Sequence, residues 1–498
     1  MIRTALMAAF ALLAAASAFA GQTAAPDARP NILLVYADDM RADSLGASGN
    51  PAAHTPNIDR LAARGTMFRR AYCLGSPHGA VCIPSRAMLH TGRPYFQLDL
   101  DEFTGATTLG EALGAQGYTT FATGKWHNGR GAFQRSFQSA RNVMFSGMSD
   151  HTAVPVCDLE GGEFTATHTA SQHSSELFAD SAIRFVSAAS DTAPFFCYLA
   201  FTAPHDPRDP PRPWAHKYYA DLPPLPANFR PQHPWDIGMM TVRDEVLAPW
   251  PRTPEVIRQQ LAEYYALIEH MDHQLGRVLA ALDARAAQGG AQRETLIVFA
   301  ADHGLALGSH GLLGKQSVYE HSLHAPLILA GPGVPADTST SALVYLNDIY
   351  PTLLEAAGVT LDEAARAPLL GASLWPTMRG EADGVRDSLF LSMGNTQRAV
   401  TDGRYKLIRF PEIDRMLLFD LASDPNEWFD LSARKEQAAR IASLTTLMQE
   451  WQRRTGDVAP LVVASPKPAE IDLTGFQRKP DRWQPRWIRE KYFGEGQD

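Results

Sequence analysis

The sequence predicts an α/β protein, a large mixed but mostly parallel sheet flanked by helices, with a smaller C-terminal α+β domain. Three observations carry this. Residues 32–37, 195–201 and 296–301 are short, continuous apolar runs, the pattern of strands buried on both faces. Amphipathic stretches lie between them, the clearest over 255–286, where Leu261, Tyr265, Ile268, Met271, Leu275, Val278 and Leu282 fall near helical spacing. Strand–helix alternation of this kind is that of an open α/β sheet. After about Pro376 the texture changes to short strand-like pieces and one helix.

In chain order, residues 1–20 read as a signal peptide. Arg3 supplies the basic start, 5–16 are apolar, and Ala18-Phe19-Ala20 gives a small-x-small cleavage site before Gly21. No cysteine lies near position 21, and no other stretch approaches the roughly 20 apolar residues of a membrane span. A mature protein that is exported, periplasmic or secreted, with no stable membrane anchor, is expected. Residues 29–376 form the expected catalytic domain. Within it, 214–251 is rich in Pro and Trp and reads as a long loop or lid. Trp214, Tyr218, Tyr219 and Trp235 there suit either stacking on a ring or packing of the lid itself. Residues 377–498 form the smaller domain and tail. In it, 398–409 read as two strands around an Asp402-Gly403 turn, 417–421 as another strand and 433–455 as a helix. The last thirty or so residues, rich in Arg, Trp and Pro, read as a tail packed over the surface.

The chain has 498 residues, 45% hydrophobic, enough for a large core and more than one usual domain. Its formal charge of −9, without long runs of one sign, gives no basic stripe for nucleic acid. A locally positive pocket for an anion remains compatible with it. Four cysteines in an exported chain of this length are too few for a disulfide scaffold. Cys197 lies in an apolar run and reads as a core thiol; Cys82 lies in a polar turn.

Each apolar strand ends in chemically active residues: Asp38-Asp39, then Pro204-His205, then Asp302-His303. Ligands of open α/β sheets gather beyond the carboxyl ends of the strands. Two adjacent carboxylates repel unless a cation or a basic side chain compensates, so Asp38 and Asp39 suit a metal or a capped strand end. His270 and His273, on the long helix, read as ordinary helix-face residues. In the segment from Val81 to Gly92, Pro84 suits the first position of a helix and Gly92 its end. Cys82 then meets the positive end of the helix dipole, with Arg86 one turn on.

Cys82-Ile83-Pro84-Ser85-Arg86 followed by Thr91-Gly92 resembles the signature of the type I, formylglycine-dependent sulfatases of the alkaline-phosphatase-like superfamily. The segment from Gly117-Tyr118 to Gly124-Lys125-Trp126-His127 is similar to the second signature of that family. Asp38-Asp39, the segment Asp302-His303-Gly304 through Gly314-Lys315, and Leu418-Phe419-Asp420-Leu421 with Asp424-Pro425 and Glu427 match as well. Five motifs in collinear order, from about 29 to 455, make coincidence implausible. Two positions depart from the commonest pattern: Ile83 stands where a small residue is frequent, and His303 where many relatives carry Asn.

The resemblance implies that Cys82 is oxidised to formylglycine (3-oxoalanine) by a maturation enzyme. It implies a divalent cation held by Asp38, Asp39, Asp302, His303 and the modified residue 82. Calcium is the family precedent and suits carboxylates; the His303 nitrogen leaves Mg²⁺ or Mn²⁺ open. The hydrated aldehyde attacks sulfur with one hydroxyl and expels sulfate by deprotonation of the other. Arg86 holds this group and the carboxylates, and Lys125 and Lys315 bind sulfate oxygens. His127 deprotonates the second hydroxyl. His205 binds sulfate and protonates the leaving oxygen, with Lys315 as competitor or partner. Lys125 and His127, two apart, point the same way on an extended segment. His310, in a Gly-rich stretch, either lines the substrate pocket or shapes its loop; His78 reads as structural. The implied substrate is a sulfated saccharide, an aryl sulfate or another small sulfate ester. A phosphonate monoester or phosphodiester hydrolase on the same fold, a catalytically inactive sulfated-glycan binder, and a thiol enzyme using unmodified Cys82 are the alternatives.

Overall fold

The computed structural model describes residues 29–287 and 293–495; the expected signal peptide lies outside them. An 11-stranded sheet forms the centre. Four of its parallel strands carry the argument: β1 (Asn31–Ala37), β2 (Thr119–Lys125), β3 (Phe195–Ala200) and β4 (Thr295–Ala301). Their spatial order is β4-β1-β3-β2. Leu34 pairs with Tyr198 and Val298, and Tyr198 with Ala122. Ser139–Met144 continues the parallel set beyond β2, and both flanks of the sheet add antiparallel pairs.

The apolar runs are continuous because both sheet faces are covered. Paired positions of parallel strands share a face, and neighbours along a strand alternate. Phe121 stacks on Phe185 of the helix Ser174–Ala188, with ring centroids 4.3 Å apart. Tyr36 and Tyr198 point the other way, to the helix Cys82–Thr91, where Tyr36 meets Ser85 at 3.0 Å and Tyr198 accepts from Arg86 at 2.9 Å. The predicted strands at 32–37, 195–201 and 296–301 are present within a residue at each end. The long helix runs Pro254–Ala287. β2 has no apolar run to announce it, yet Thr120 and Thr123 are each only 1% exposed.

Gly124 shows why this strand needs its glycine. At φ +99° it sits at a register shift, and a Cβ there would meet the Ala200 carbonyl oxygen at 1.8 Å. The strand can therefore press against β3 and deliver Lys125 at its end.

The C-terminal sheet contains Leu389–Met393, Gln397–Thr401, Tyr405–Phe410 and Arg415–Asp420 as an antiparallel set. Asp402-Gly403 makes the expected turn, with Gly403 at φ +89°. The helix behind it starts at Ala438, not 433, after a short 3-10 turn over Lys435–Gln437. A fifth strand comes from far away: Gly75–Ser76 pairs in parallel with Ser392 and Met393. Gly75, at φ +121°, approaches Ser392 so closely that a Cβ would lie 1.8 Å from its carbonyl oxygen. The segment 214–251 is mostly irregular, after a helix over Arg212–Ala220. Its aromatic residues are used in packing: Trp214 on His270, Tyr218 on Tyr265, Trp235 on His233, and the Tyr219 hydroxyl on Glu263. No helix among the described residues is long and apolar enough to cross a membrane.

Candidate active site

The carboxyl ends of β1, β2, β3 and β4 bring Asp38-Asp39, Lys125, His205 and Asp302-His303 to one place. In-register pairing aligns them: Ala37 pairs with Ala301 and Ala200 with Gly124, and the Asp302 amide donates to the Ala37 carbonyl at 3.2 Å. Cys82 enters from outside the sheet as the first residue of its helix. Pro84 is the third helical residue rather than the first, so the helix starts two residues earlier than the proline suggested. Gly92 closes it at φ +68°, as expected.

The Cys82 sulfur marks the position that an oxygen of the modified residue would take. Around it lie Asp38 Oδ1 at 3.3 Å, His303 Nε2 at 3.4 Å, Lys315 Nζ at 3.4 Å and Asp39 Oδ1 at 3.9 Å. Asp38 Oδ2 accepts from Arg86 Nη2 at 2.8 Å and faces Lys125 Nζ at 2.6 Å. Arg86 Nη1 is fixed by the Lys125 carbonyl and the Tyr198 hydroxyl, both at 2.9 Å. Lys315 Nζ lies 2.8 Å from Asp39 Oδ1 and 3.7 Å from Asp244 Oδ2. His205 Nε2 is 3.7 Å from Asp39 Oδ2. The fold therefore brings together the predicted metal residues Asp38, Asp39, Cys82, Asp302 and His303 with Arg86, Lys125, His205 and Lys315.

His127 joins them by a different route from the one expected. β2 ends at Lys125, and His127 adopts φ +70°, so the pair is not two positions of one extended segment. Its ring backs onto Gly147, where a Cβ would come within 2.4 Å of Nε2. His310 is not brought to Cys82. It sits at φ +54° in a tight turn, stacks on Tyr319 at 4.2 Å and lies 5.7 Å from the ring of His321, which suits the loop-shaping reading.

Electrostatics follow from burial. Burial pushes the Asp38 carboxyl up, but Lys125 and Arg86 outweigh it and hold Asp38 well below the usual range. Asp39 goes the other way: burial, with Asp38 and Asp302 beside it, outweighs Lys315 and raises it well above. Two carboxylates of one site thus cannot both ionise easily without added positive charge. Burial, with Lys315 and Lys125, depresses His205 to about 3. Burial and Lys125 likewise hold His127 well below its usual value. Burial and Asp38 raise the Cys82 thiol well above its ordinary range. A thiol kept protonated is a poor nucleophile, which counts against an enzyme using unmodified Cys82. All four cysteines are free and buried.

The residues fit a divalent cation. Asp302 Oδ1 accepts from the amides of Asp39 and His303 at 2.9 and 3.0 Å, while its buried Oδ2 has no hydrogen-bond partner. His303 Nδ1 faces the Gly304 carbonyl at 2.9 Å. With Nδ1–H donating there, Nε2 presents a lone pair to Asp39 and Asp302. One atom each from Asp39, Cys82, Asp302 and His303 lies within 4.8 Å of the others, and the same holds for Asp38, Asp39, Cys82 and His205. Charge arithmetic agrees. Asp38, Asp39, Asp302 and Asp244 oppose Arg86, Lys125 and Lys315, which leaves one negative charge. A dication turns that into one positive charge, which a singly charged sulfate ester cancels.

Sequence reasoning missed several supporting residues. Asp244 accepts from Gln316 Nε2 at 2.8 Å and flanks Lys315. Arg243 holds Asp206, the neighbour of His205, with Nη1 at 2.6 Å from Oδ1. His151 Nε2 lies 3.0 Å from the His205 carbonyl. None belongs to a local motif; each acts through contacts between distant segments.

Comparison with known proteins places the chain among sulfatases. The family model described as Sulfatase matches residues 30–359, and that described as N-sulphoglucosamine sulphohydrolase, C-terminal, matches 308–454. An arylsulfatase of Clostridium perfringens is 25% identical over 468 residues, covering 84% of this chain and 94% of the relative. An N-acetylglucosamine-6-O-sulfatase of Bacteroides thetaiotaomicron is 25% identical over 516 residues, covering 87% and 88%. Among solved structures, a protein in complex with its substrate D-glucosamine-2-N,6-O-disulfate superposes with a TM-score of 0.71. It is 24% identical and covers 87% of this chain and 99% of that one.

Proposed function

The chain belongs to the sulfatase family and is a sulfuric ester hydrolase, and we propose that it cleaves a sulfated saccharide or aryl sulfate through a hydrated formylglycine made from Cys82. The observation that carries this reading is the enclosure of the Cys82 sulfur by Asp38, His303 and Lys315, each within 3.4 Å.

Asp38, Asp39, Asp302, His303 and residue 82 would hold a divalent cation, calcium by the preference of carboxylates, with Mg²⁺ or Mn²⁺ open through the His303 nitrogen; it would supply positive charge that acidifies a hydroxyl on residue 82. The formylglycine hydrate would provide two hydroxyls on one carbon, one to attack sulfur and one whose deprotonation releases sulfate. Lys125 and Lys315 flank that position and stabilise charge growing on the sulfate oxygens. Arg86, wholly buried and fixed at both terminal nitrogens, keeps Asp38 oriented and binds the modified residue.

Proton movement falls to three groups. His127 is held neutral, with a buried Nδ1 that has no partner, and suits the base that deprotonates the second hydroxyl. His205 Nδ1 lies 2.7 Å from the Asp206 carbonyl. If Nδ1–H donates there, Nε2 carries no proton, and burial with Lys315 and Lys125 opposes adding one. Lys315 is held protonated by Asp39 despite burial. Of the two candidates, Lys315 is the better proton source for the leaving oxygen, and His205 would bind a sulfate oxygen only with a proton on Nε2.

The leader-like sequence of residues 1–20 supports export of the mature enzyme to the periplasm or outside the cell, and the oxidation of Cys82 calls for a maturation enzyme as a transient partner. Sulfate release over a panel of sulfated saccharides and aryl sulfates tests the reading, on protein whose residue 82 aldehyde is confirmed by peptide mass. Cys82→Ala is expected to abolish turnover with the fold intact. Full activity in that variant refutes the mechanism, and a clear preference for an aryl phosphonate ester replaces the sulfatase reading with the phosphoryl one.

A further inference from the structure

The described tail beyond residue 455 lies outside both matched family models, and it is tightly strapped down. Arg478 Nε donates to the Val246 carbonyl at 2.8 Å. Asp481 Oδ2 accepts from Arg243 Nε at 2.8 Å, and Gln484 Nε2 donates to Asp206 Oδ2 at 2.8 Å. Trp487 Nε1 donates to Asp209 at 3.0 Å, and Lys491 and Tyr492 both reach Glu263 Oε1, at 2.8 and 2.6 Å. Asp206 and Asp209 lie one and four residues after His205, so the strap crosses the His205 side of the site.

There it walls a cleft of about 400 Å³. It is an open depression lined by Gly147 and Met148, by Arg243, and by Asp481, Arg482 and Trp483 of the tail. Gly147 backs onto the His127 ring, and Arg243 grips the residue after His205. The cleft thus opens between the neighbours of the two imidazoles. Met148 and Trp483 offer it apolar and aromatic surface. Arg243 is occupied by Asp206, Asp244 and Asp481. Arg482 differs: it is exposed, lies 4.4 Å over the Trp483 ring, and no carboxylate among the described residues pairs with it.

We propose that the C-terminal tail is the leaving-group wall of the substrate cleft, with Trp483 packing on the ring of the alcohol portion and Arg482 pairing a second anionic group on that ring. The preferred ester is then carried by a saccharide with at least two negative charges. Aromatic packing supplies area at low entropic cost, and a guanidinium suits a sulfate or carboxylate through paired hydrogen bonds. The inference rests on the sulfatase reading and assigns its substrate class.

The test measures kcat/KM of the matured full-length enzyme on three substrates: a disulfated monosaccharide, its monosulfate and a small aryl sulfate. Arg482→Gln is expected to lower the disulfate-to-monosulfate ratio about tenfold. Trp483→Ala is expected to lower kcat/KM on all three substrates by a similar factor relative to the parent, since each leaving alcohol carries a ring, and Trp483→Phe to restore most of it. Arg482 is exposed, so its variant carries the test if Trp483→Ala does not fold. An Arg482→Gln ratio within twofold of the parent's, in an active parent, overturns the wall alone. A parent inactive on all three overturns the sulfatase reading beneath it.

Discussion

Lys315 and Asp39 form a buried ion pair, Nζ to Oδ1 2.8 Å, in which the same ammonium also lies 3.4 Å from the Cys82 sulfur. One side chain thus neutralises a carboxylate of the cation site and faces the reacting position.

Lys315→Ala is therefore expected to lower kcat by about 10²–10³-fold, the usual cost of one charge-stabilising donor. It also strands a buried carboxylate, at a cost of about 3–5 kcal/mol when no cation compensates. Steady-state kinetics and denaturant unfolding in chelator read the two effects separately. A kcat within fivefold of the parent's would remove Lys315 from the chemistry.

Calcium is expected to raise the melting temperature of dialysed protein, in step with occupancy. Ligand at a hundred times its Kd adds about 2.7 kcal/mol. Asp302 Oδ2, buried without a hydrogen-bond partner, is the oxygen that gains most. Asp302→Asn should abolish the shift. Scanning calorimetry during a calcium titration checks this without any turnover, and a melting point indifferent to every divalent cation contradicts the site.

Gly147→Ala is expected to lower kcat by about 10²-fold, the scale of a roughly 1 Å misplacement of a catalytic group. The new Cβ would lie 2.4 Å from His127 Nε2, so the imidazole must move. Gly147 does not adopt a left-handed φ, so the backbone tolerates alanine. Unchanged kcat in a well-folded variant would show that His127 needs no fixed position.

His90→Leu is expected to flatten acid destabilisation. His90 sits on the Cys82 helix between Trp126 and Tyr198, fully buried, with no partner for either ring nitrogen. Burial and Arg86 push it down to about 3. A histidine depressed in the folded state contributes its stability above the unfolded value of about 6.5, and loses it as pH falls from there towards 3. Below pH 6 the slope from this one group approaches about 1.4 kcal/mol per pH unit. Denaturant midpoints at pH 7, 6 and 5 should fall less steeply in the variant, and parallel slopes count against the assignment.

The strands β1, β3 and β4 were legible because a strand covered on both faces must be apolar throughout, and turn residues bound each run. β2 was not, since Thr119, Thr120 and Thr123 read as polar although two of them are buried. Asp38, Asp39, His205, Asp302 and His303 were legible because they follow strand ends, and Cys82, Lys125, His127 and Lys315 through motif order. Arg243, Gly147 and Asp244 were not, because their roles depend on contacts with segments tens or hundreds of residues away. Pro84 misled by two positions: a proline fits anywhere in the first turn of a helix, where amides lack intrahelical partners.

The parallel pairing of Gly75–Ser76 with Leu389–Met393 has a consequence for biosynthesis. The segment six residues before Cys82 cannot make this pairing until the chain has been translated past residue 393. Once the fold closes, Cys82 is 1% exposed behind Asp38, Asp39 and Lys315, and no modifying enzyme can reach it. The proposed oxidation of Cys82 therefore has a deadline set by synthesis of the last quarter of the chain. A faster-folding variant would accumulate as protein that is native in shape and permanently unconverted.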